Sequence, residues 1–398
     1  MLIKNKLTFF IKASWDELSI RLQYLVFTIV ILIILLLLYN NKLTDNPESL
    51  KVISLPRNIQ QASKNEIFTT VDQEISLSVN KEIFLAVVAC GDRVSETLTL
   101  LKSALIFTTS PLHFLIVTEN NLRDSFYEKL KEWQNVTNGA FKFQIKPLTF
   151  PKGMEDEWKK LFKPCASQRL FLPSVLPDID AVIYVDTDTV FLAPVDYVWD
   201  HFYKMNSSQL AALAPEHEDA NGWYNRFARH PYYGKYGVNS GVMLMNLTRM
   251  RRFNWTKYVI PIYKKYKLNI TWGDQDIINI IFHYYPDKLY VYPCRFNYRP
   301  DHCMYMSICK SAEKEGVVVL HGSRGFFHSS RQPIFRSIYR SFEEYEMGSD
   351  KYINFRLPLE SYILAESDST CGQIKNAFLM NVKKSIPADD DENDENKL

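Results

Sequence analysis

The chain has 398 residues, of which 46% are hydrophobic, and its formal net charge is only +2. A chain of this length and composition can bury a sizeable core, and one large α/β domain accounts for it as well as two or three smaller ones. The nearly balanced charge argues against a nucleic-acid-binding protein, so no nucleic-acid partner is expected.

An uncharged stretch from residue 22 to residue 41 is the first element. Its central run, YLVFTIVILIILLLLY, is almost wholly apolar, and about 20 such residues cross the hydrocarbon core of a bilayer as a helix. Because the run lacks the small-residue cleavage site of a signal peptide, the sequence favours an uncleaved signal anchor. Basic residues precede it at Lys4, Lys6, Lys12 and Arg21. The positive-inside rule therefore places residues 1–21 in the cytoplasm and the body of a type II membrane protein in the lumen.

Beyond a polar stem, residues 42–80, apolar runs of strand length alternate with a helical pattern. EIFLAVVAC (residues 82–90) predicts a buried parallel strand, residues 95–107 have helical spacing, and HFLIVTE (residues 113–119) predicts a second strand. Further strands are predicted for AVIYV (181–185), GVMLMNL (241–247) and VVVL (317–320), and a helix for IINIIF (277–282). This order indicates an α/β sheet, in which ligands bind beyond the carboxyl ends of the strands.

The folded domain is predicted over residues 81–345, followed by a C-terminal extension over residues 346–386. Residues 387–398 are rich in Asp, Glu and Asn, which is typical of a disordered acidic tail. Five N-x-S/T sequons support a luminal location only weakly, because chance supplies nearly as many. They begin at Asn135, Asn206, Asn246, Asn254 and Asn269.

The cysteines allow three interpretations. His302 beside Cys303 could belong to a zinc site, but the paired spacings of zinc ligands are missing. In a luminal protein disulfides are favoured, and buried free cysteines also stay open. The six residues concerned are Cys90, Cys165, Cys294, Cys303, Cys309 and Cys371. The sequence alone does not decide how they pair.

Asp186-Thr187-Asp188 directly follows the AVIYV run. In an extended chain the two carboxylates point the same way and Thr187 faces away. Two anions this close repel each other unless a cation lies between them, and a hard divalent ion such as Mg²⁺ or Mn²⁺ suits oxygen ligands. A D-x-D pair also occurs by chance in solvated loops. Its position after a buried strand favours the ion site.

His321-Gly322 follows the VVVL run in the same way. An imidazole beside carboxylates favours Mn²⁺ over Mg²⁺, although a histidine at a strand end is more often an ordinary loop residue. Arg324 and Arg331 could bind phosphate through their guanidinium groups. Arginines at such positions are also common as plain surface charges.

Two more segments combine polar residues with predicted elements. In WGDQD (residues 272–276), Asp274 precedes the IINIIF helix, and its simplest interpretation is a helix cap. In VNSGVMLMNL (residues 238–247), Asn239 and Gly241 begin a strand. A glycine there indicates either a close approach of the backbone to a ligand or a tight turn.

The order of these motifs along the chain resembles that of glycosyltransferase family 8, the retaining GT-A enzymes that include glycogenin and bacterial galactosyltransferases. The motifs are D-x-D, NSGVMLMN, GDQD and H-G. Within that family the resemblance is longest to the glucoside xylosyltransferases, and it covers roughly residues 83–345. The segments that carry it include CASQRLFLP (165–173), EHEDANGWYNRFARHPYYGKYGVNSGVMLMN (216–246), YKLNITWGDQD (266–276), FNYRPDHC (296–303) and HGSRG (321–325). It implies a GT-A nucleotide-sugar-binding fold with a mixed, mainly parallel sheet, preceded by one transmembrane helix.

The resemblance also implies the chemistry. The donor is UDP-xylose, and the acceptor is O-linked glucose on EGF-like repeats such as those of Notch, joined in α1,3 linkage in the Golgi or endoplasmic reticulum. Mn²⁺, with Mg²⁺ as the alternative ion, is held by Asp186, Asp188 and His321. Gln275 lies beneath the anomeric carbon and Asp274 near the sugar hydroxyls, and these two form the catalytic set.

The resemblance implies a wider donor site around these groups. Arg169 contacts the donor, Asn239 and Gly241 line its sugar, and the turn at Cys90 borders the uracil. Arg331 stands where the family commonly has lysine, so a diphosphate contact there is less firmly implied. The full donor-binding set is Cys90, Gly91, Asp92, Arg169, Asp186, Thr187, Asn239, Gly241, Gly322, Arg324 and Arg331.

Several alternatives remain at this point. Another UDP-hexose or UDP-pentose could be the donor. The run from Asp186 to Val190 also resembles the nucleophile loop of haloacid-dehalogenase-type phosphatases, and a non-catalytic lectin-like role is a third option. For a retaining transferase, double displacement needs a carboxylate nucleophile. Gln275 is an amide, so the sequence favours front-face attack over a covalent intermediate on Asp274.

Overall fold

A computed structural model of the chain describes residues 82–161, 163 and 165–388. The predicted cytoplasmic segment, the anchor at residues 22–41, the whole stem and most of the acidic tail lie outside these ranges. None of the helices within them has the length and apolar character that a bilayer span requires.

The strands form one large sheet and one small one. Their bounds are β1 Ile83–Ala89, β2 Leu112–Thr118, β3 Phe141–Pro147, β4 Ala181–Val185, β5 Thr189–Phe191, β6 Ala211–Pro215, β7 Val238–Asn246, β8 Leu289–Val291 and β9 Val319–His321. The large sheet has the order β3-β2-β1-β4-β7-β6-β8, and β5 pairs with β9 in the small one. Strand β7 runs antiparallel to β4 and β6, whereas the other neighbours are parallel. The predicted mixed, mainly parallel sheet is therefore confirmed.

Helices cover both faces of the large sheet. Their bounds are α1 Val94–Phe107, α2 Arg123–Val136, α3 Glu155–Lys159, α4 Leu172–Val175, α5 Asp196–Trp199, α6 Trp223–Phe227, α7 Leu247–Arg252, α8 Trp255–Tyr266, α9 Asp274–Tyr284, α10 Lys310–Glu315, α11 Pro333–Glu344, α12 Leu357–Ala365 and α13 Lys375–Ser385. Side chains of β1 alternate between two cores, with Leu85 and Val87 in one and Ala86 and Val88 in the other. Burial on both faces explains why β1 is a continuous apolar run.

The sheet topology brings distant polar residues to one edge. Because β7 is antiparallel to β4, the start of β7 lies beside the end of β4, and the backbone N–H of Asp186 donates to the carbonyl of Gly241 at 2.8 Å. In the small sheet, Thr189 is paired with His321. This register places His321 next to Asp188, at the same edge.

Strand β9 departs from its prediction. It begins two residues later than the VVVL run and pairs with β5 rather than with the large sheet. Val317 and Val318 are nevertheless fully buried, so their apolar character reflects core packing rather than strand formation.

All the cysteines form disulfides, which join Cys90 to Cys165, Cys294 to Cys309 and Cys303 to Cys371. Cys303 is therefore not available to share a zinc ion with His302. The zinc and free-thiol interpretations are wrong for the described part of the chain, and the disulfide interpretation is confirmed.

The C-terminal helices pack directly behind β9. Phe378 and Val382 of α13 are fully buried, and the backbone N–H of Val317 donates to the carbonyl of Ala377 at 2.8 Å. The side-chain amide of Asn381 donates to the carbonyl of Val317 at 2.9 Å. The segment after residue 345 thus belongs to the same core as β9.

Candidate active site

A cavity of about 390 Å³ opens at the sheet edge where β1, β4 and β6 end and β7 begins. Most of the residues that the sequence singled out line it. They are Cys90, Gly91, Asp92, Arg169, Asp186, Thr187, Asp188, Asn239, Asp274, Gln275, His321 and Arg324. Thr187 faces the cavity rather than away from it, because residues 187–188 form a turn instead of continuing β4 as an extended chain.

The two aspartates converge on His321. Its Nε2 lies 3.2 Å from Oδ1 of Asp188 and 3.9 Å from Oδ2 of Asp186. Burial raises the pKa of Asp188, but the adjacent His321 and the charges of Lys163 and Arg93 together lower it by more, so the net pKa lies below its ordinary value. One ligand atom from each of the three residues lies within 4.8 Å of the other two.

Asn297, which sequence reasoning missed, holds the imidazole of His321 from behind. Its Oδ1 lies 2.9 Å from Nδ1 of His321, which leaves Nε2 directed at the carboxylates. A second partner of this kind fixes the tautomer and orientation of a metal-binding histidine. Gly241 makes room for the ring, since a Cβ there would lie only 2.1 Å from Cε1 of His321. The close approach predicted at Gly241 is therefore to this side chain.

Two carboxylates and one oriented imidazole fit a divalent ion with mixed oxygen and nitrogen preference. A second cluster in the described ranges, Cys90, Glu119 and Cys165, also has suitable spacing. Its two sulfurs are bonded to each other, so it offers no thiolate to a metal. The aspartate–histidine cluster is thus the better candidate metal centre.

Arg169 links the acidic pair to the GDQD segment. Its guanidinium is buried, lies 2.8 Å from Oδ1 of Asp186 and forms an ion pair with Asp274. It also stacks over the ring of Tyr184, with its Cζ 4.5 Å from the ring centre. Burial by itself lowers the pKa of Arg169, but the two carboxylates raise it by more, so the arginine stays charged.

Helix α9 does not begin as the sequence suggested. The N-cap position is occupied by Gly273, with φ of +62°, so no side chain at that position caps the helix. Asp274 is the first residue of the helix, and its carboxylate faces Arg169. Asp276 holds the start of the helix instead. One of its oxygens accepts from the backbone N–H groups of Thr271 and Trp272, both at 2.7 Å. The capping interpretation of Asp274 is wrong because the buried arginine supplies a stronger partner.

The amide of Gln275 is fixed at both ends. Its Oε1 accepts from the backbone N–H of Ser240 at 3.2 Å, and its Nε2 donates to Oε2 of Glu216, also at 3.2 Å. The same carboxylate oxygen accepts from Nδ2 of Asn239 at 2.7 Å and lies 3.5 Å from Nη1 of Arg299. Glu216, a residue that sequence reasoning missed, therefore positions Gln275 and Asn239 together.

At the other end of the cavity, the turn after β1 is tied down by two neighbours. Cys90 is bonded to Cys165, and the backbone N–H of Gly91, at φ of +64°, donates to Oε2 of Glu119 at 2.8 Å. Glycine adopts this positive φ without strain, whereas most other residues would not. The turn presents Asp92 and Arg93 to the cavity.

Comparison with known proteins decides the family. The family model described as Glycosyl transferase family 8 matches residues 85–321. Glucoside xylosyltransferase 1 of Gallus gallus is 50% identical over 319 residues, which span 77% of this chain and 73% of that protein. The chain belongs to glycosyl transferase family 8.

Two further comparisons agree with this result. Glucoside xylosyltransferase 2 of Xenopus laevis is 50% identical over 314 residues, or 76% of this chain and 74% of that protein. The solved structure of galactosyltransferase LgtC with donor and acceptor sugar analogs covers 66% of this chain and 95% of its own, at 18% identity and a TM-score of 0.50. That likeness supports the GT-A type α/β fold alone. The predicted family is confirmed, and the phosphatase alternative is wrong.

Three predicted donor residues of this family 8 enzyme do not line the cavity. Gly241 lies behind His321, and Gly322 lies against the ring of Phe327 while its N–H donates to the carbonyl of Asp188 at 2.8 Å. Arg331 is exposed, with its guanidinium 5.4 Å from the ring centre of Phe326. Arg324 does line the cavity, where its Nη2 lies 2.5 Å from Oδ2 of Asp301. A diphosphate contact by Arg331 stays a prediction.

Further lining residues of the family 8 site were not predicted. They are Val88, Arg93, Lys163, Ala166, Tyr184, Glu216, Trp223, Tyr224, Ser240, Trp272, Arg299, Asp301 and Ser323. Glu216 directly follows β6, just as Asp186 directly follows β4. The rule that polar residues after a strand belong to the site would therefore have identified Glu216, but the alanine-rich sequence of β6 does not predict a strand.

Proposed function

We propose that this enzyme transfers xylose from UDP-xylose, with retention and in α1,3 linkage, to the O-linked glucose of EGF-like repeats such as those of Notch. The observation that carries the proposal is the 50% identity with glucoside xylosyltransferase 1 over 319 residues. The converged Asp186, Asp188 and His321 cluster supports it, since a UDP-sugar transferase needs a group that binds the diphosphate. Another UDP-sugar donor is the alternative.

Asp186, Asp188 and His321 would hold Mn²⁺, with Mg²⁺ as the alternative ion. When bound, the ion supplies Lewis-acid chemistry that neutralises charge on the departing diphosphate. The chain contributes the rest through fixed groups. Arg169 keeps a positive charge beside the carboxylates in a buried setting, where electrostatic interactions are strong.

The surroundings of Gln275 support front-face attack. Its amide is a poor nucleophile, and both ends of it are engaged by Ser240 and Glu216. Asp274 is the nearest alternative nucleophile along the chain, but its carboxylate is ion-paired with Arg169. We infer that the acceptor hydroxyl attacks on the face that the diphosphate leaves, and that the leaving phosphate takes the proton. Trapping a covalent glycosyl-enzyme on Asp274 would overturn this mechanism.

We further propose a luminal location, in the Golgi or endoplasmic reticulum, for a type II protein anchored through residues 22–41. Three disulfides among residues 90–371 support an oxidising compartment. Protease protection of the tagged full-length protein in sealed microsomes tests this topology. Digestion of the catalytic domain without detergent would contradict it.

The activity is tested with the full-length protein, Mn²⁺ and a panel of UDP-sugars on an O-glucosylated EGF-like repeat. We expect transfer from UDP-xylose and loss of it on chelation. Asp188→Asn should lower kcat/KM at least about 100-fold, because it weakens the charge that binds the ion. Faster transfer from another UDP-sugar would replace the donor assignment. Full activity of Asp188→Asn or of the chelated enzyme would contradict the metal-dependent mechanism.

A further inference from the structure

Strand order gives the cavity two distinct ends. Along the sheet edge the order is β1, β4, β7 and β6, so the cavity runs from the Cys90–Arg93 turn, past Asp186, to Glu216. The predicted uracil side is at β1 and the candidate ion site follows β4. The end beside β6, next to Gln275, is therefore where the second substrate must enter.

An exposed aromatic pair stands at this end. Trp223 lines the cavity and keeps 56% of its surface exposed, and Phe227 keeps 46%. The two rings stack with their centroids 5.1 Å apart and their planes 22° from parallel. Large apolar groups exposed together beside a polar cavity indicate a binding surface rather than a core.

The neighbour of Trp223 in the chain connects it to the helix that carries Gln275. Tyr224, which follows Trp223 in α6, is buried, and its hydroxyl donates to Oδ1 of Asp276 at 2.8 Å. Its ring also packs against that of Trp272 at 4.9 Å. Asp276 directly follows Gln275 in α9, so one short chain of contacts fixes the exposed tryptophan with respect to the catalytic amide. Gly237 permits this packing, because a Cβ there would lie 2.7 Å from the ring of Tyr224.

From these contacts we propose that Trp223, backed by Phe227, is the platform on which the acceptor glucose stacks. This inference rests on the proposed function, since it names the surface that binds the acceptor of that reaction. A glucopyranose chair presents axial C–H groups on its two faces and hydroxyl groups around its rim. The C–H hydrogens carry a partial positive charge that suits the negative face of the indole, and stacking removes apolar area from water. Hydroxyl groups at the rim of the sugar can reach the polar residues of the cavity.

The indole could instead meet the uracil of the donor or the polypeptide of the acceptor. Position favours the glucose over the base, because Trp223 lies at the β6 end and the predicted uracil turn lies at the β1 end. The two acceptor sources are separated by comparing an O-glucosylated EGF-like repeat with a small β-glucoside that has no peptide.

The test measures acceptor KM for both substrates and the Kd for UDP with Mn²⁺, using the full-length enzyme. We expect Trp223→Ala to raise both acceptor KM values at least about tenfold, since stacking and burial of an aromatic surface are lost. The Kd for UDP should stay within about twofold, and Trp223→Phe should recover most of the acceptor affinity. Phe227→Ala should give an intermediate increase. Tyr127→Ala, which changes a 48%-exposed tyrosine outside the cavity, is the matched control.

Each other outcome overturns the platform. Unchanged KM values for both acceptors in Trp223→Ala exclude a contact with the glucose. A higher Kd for UDP with normal acceptor KM assigns the ring to the uracil, and an effect on the EGF-like repeat alone assigns it to the peptide. If the wild-type enzyme transfers no xylose, the proposed function fails separately. Saturation-transfer NMR of the β-glucoside on the UDP-loaded enzyme then tests the platform, and equal binding by wild type and Trp223→Ala overturns it.

Discussion

Asn297 and Gly241 show that the histidine of the candidate metal centre depends on residues that need not touch the ion. Asn297 fixes one ring nitrogen of His321, and Gly241 leaves space for the ring. Neither residue carries a charge. Their contribution is to keep Nε2 of His321 directed at the two aspartates.

Asn297→Ala should therefore lower the affinity for the activating metal more than it lowers the stability of the fold. Loss of the hydrogen bond to Nδ1 should raise the Mn²⁺ concentration for half-maximal activity by about 10- to 100-fold. Titration of transfer activity with Mn²⁺ measures this, and excess Mn²⁺ should restore much of the rate. Asn381→Ala, which removes a different buried amide, is the control. An unchanged Mn²⁺ requirement in Asn297→Ala would show that the hydrogen bond does not orient His321 for metal binding.

Glu216→Gln tests the group that positions Gln275. The variant keeps the size of the side chain but removes the charge that accepts hydrogen bonds from Asn239 and Gln275 and lies beside Arg299. We expect kcat to fall about tenfold or more while the Kd for UDP changes little, because Gln275 belongs to the proposed sugar side of the site. Glu218→Gln, two residues away and outside the cavity lining, is the control. Equal loss in both variants would indicate a general structural effect.

At the scale of elements, the disulfide between Cys90 and Cys165 joins the end of β1 to the turn that precedes Arg169. It encloses a sequence separation of 75 residues. The double variant Cys90→Ser and Cys165→Ser should lose about 2–4 kcal/mol of unfolding free energy. It should also weaken UDP binding, because the turn at Gly91 loses one of its two attachments. Denaturant unfolding and calorimetry measure the two effects.

The double variant of Cys294 and Cys309 is the matched control for that experiment. Its disulfide closes a separation of 15 residues and neither cysteine lines the cavity. We expect it to lower stability without changing the Kd for UDP. Normal UDP affinity in both double variants would confine the role of the Cys90–Cys165 bond to stability.

Sequence pattern predicted those elements whose side chains meet one environment along their whole length. Strands β1, β2 and β4 are buried on both faces, so continuous apolar runs revealed them. Strand β3 alternates apolar and polar residues, which is the pattern of a half-buried strand, but it contains no continuous apolar run of the kind that revealed the others. Strand β6 was missed because alanine has a low strand propensity, and β5 and β8 because they have only three residues each.

Site residues were predictable where they directly followed a recognisable strand. Asp186, Asp188 and His321 were found in this way. Asn297 lies between two 3₁₀ helices of three residues each, Cys294–Phe296 and Pro300–His302. No apolar run precedes it, so only the three-dimensional pairing with His321 reveals its role. The ion pair of Arg169 with Asp274 likewise joins positions more than a hundred residues apart, which single-sequence reasoning cannot pair.

For the whole molecule, the buried His201 should make stability depend on pH. Burial lowers the pKa of His201 from 6.5 to about 4, and its ring packs against Phe296 at 4.4 Å between centroids. Between these pH values the unfolded chain binds a proton that the folded chain does not. The contribution of the neutral His201 to the free energy of unfolding is therefore fully present above pH 6.5 and is lost progressively as the pH falls toward 4.

His201→Phe should remove this part of the acid sensitivity. Relative to the wild type, the loss of unfolding free energy between pH 7 and pH 5 should be smaller by about 1 to 2 kcal/mol. Denaturant unfolding at both pH values measures it, and His283→Gln, at an exposed histidine, is the control. Identical losses in His201→Phe and the wild type would show that His201 titrates normally in the folded state.

The packing of α13 behind β9 has a consequence for the gene. A premature stop codon between positions 322 and 370 would encode every candidate ion ligand, yet the product would lack Cys371, the partner of Cys303, and the helix that covers Val317. Tyr298, whose ring contacts Phe378, would lose that cover. Such alleles should behave as nulls, because the truncated polypeptide would fail to complete its core and would be degraded.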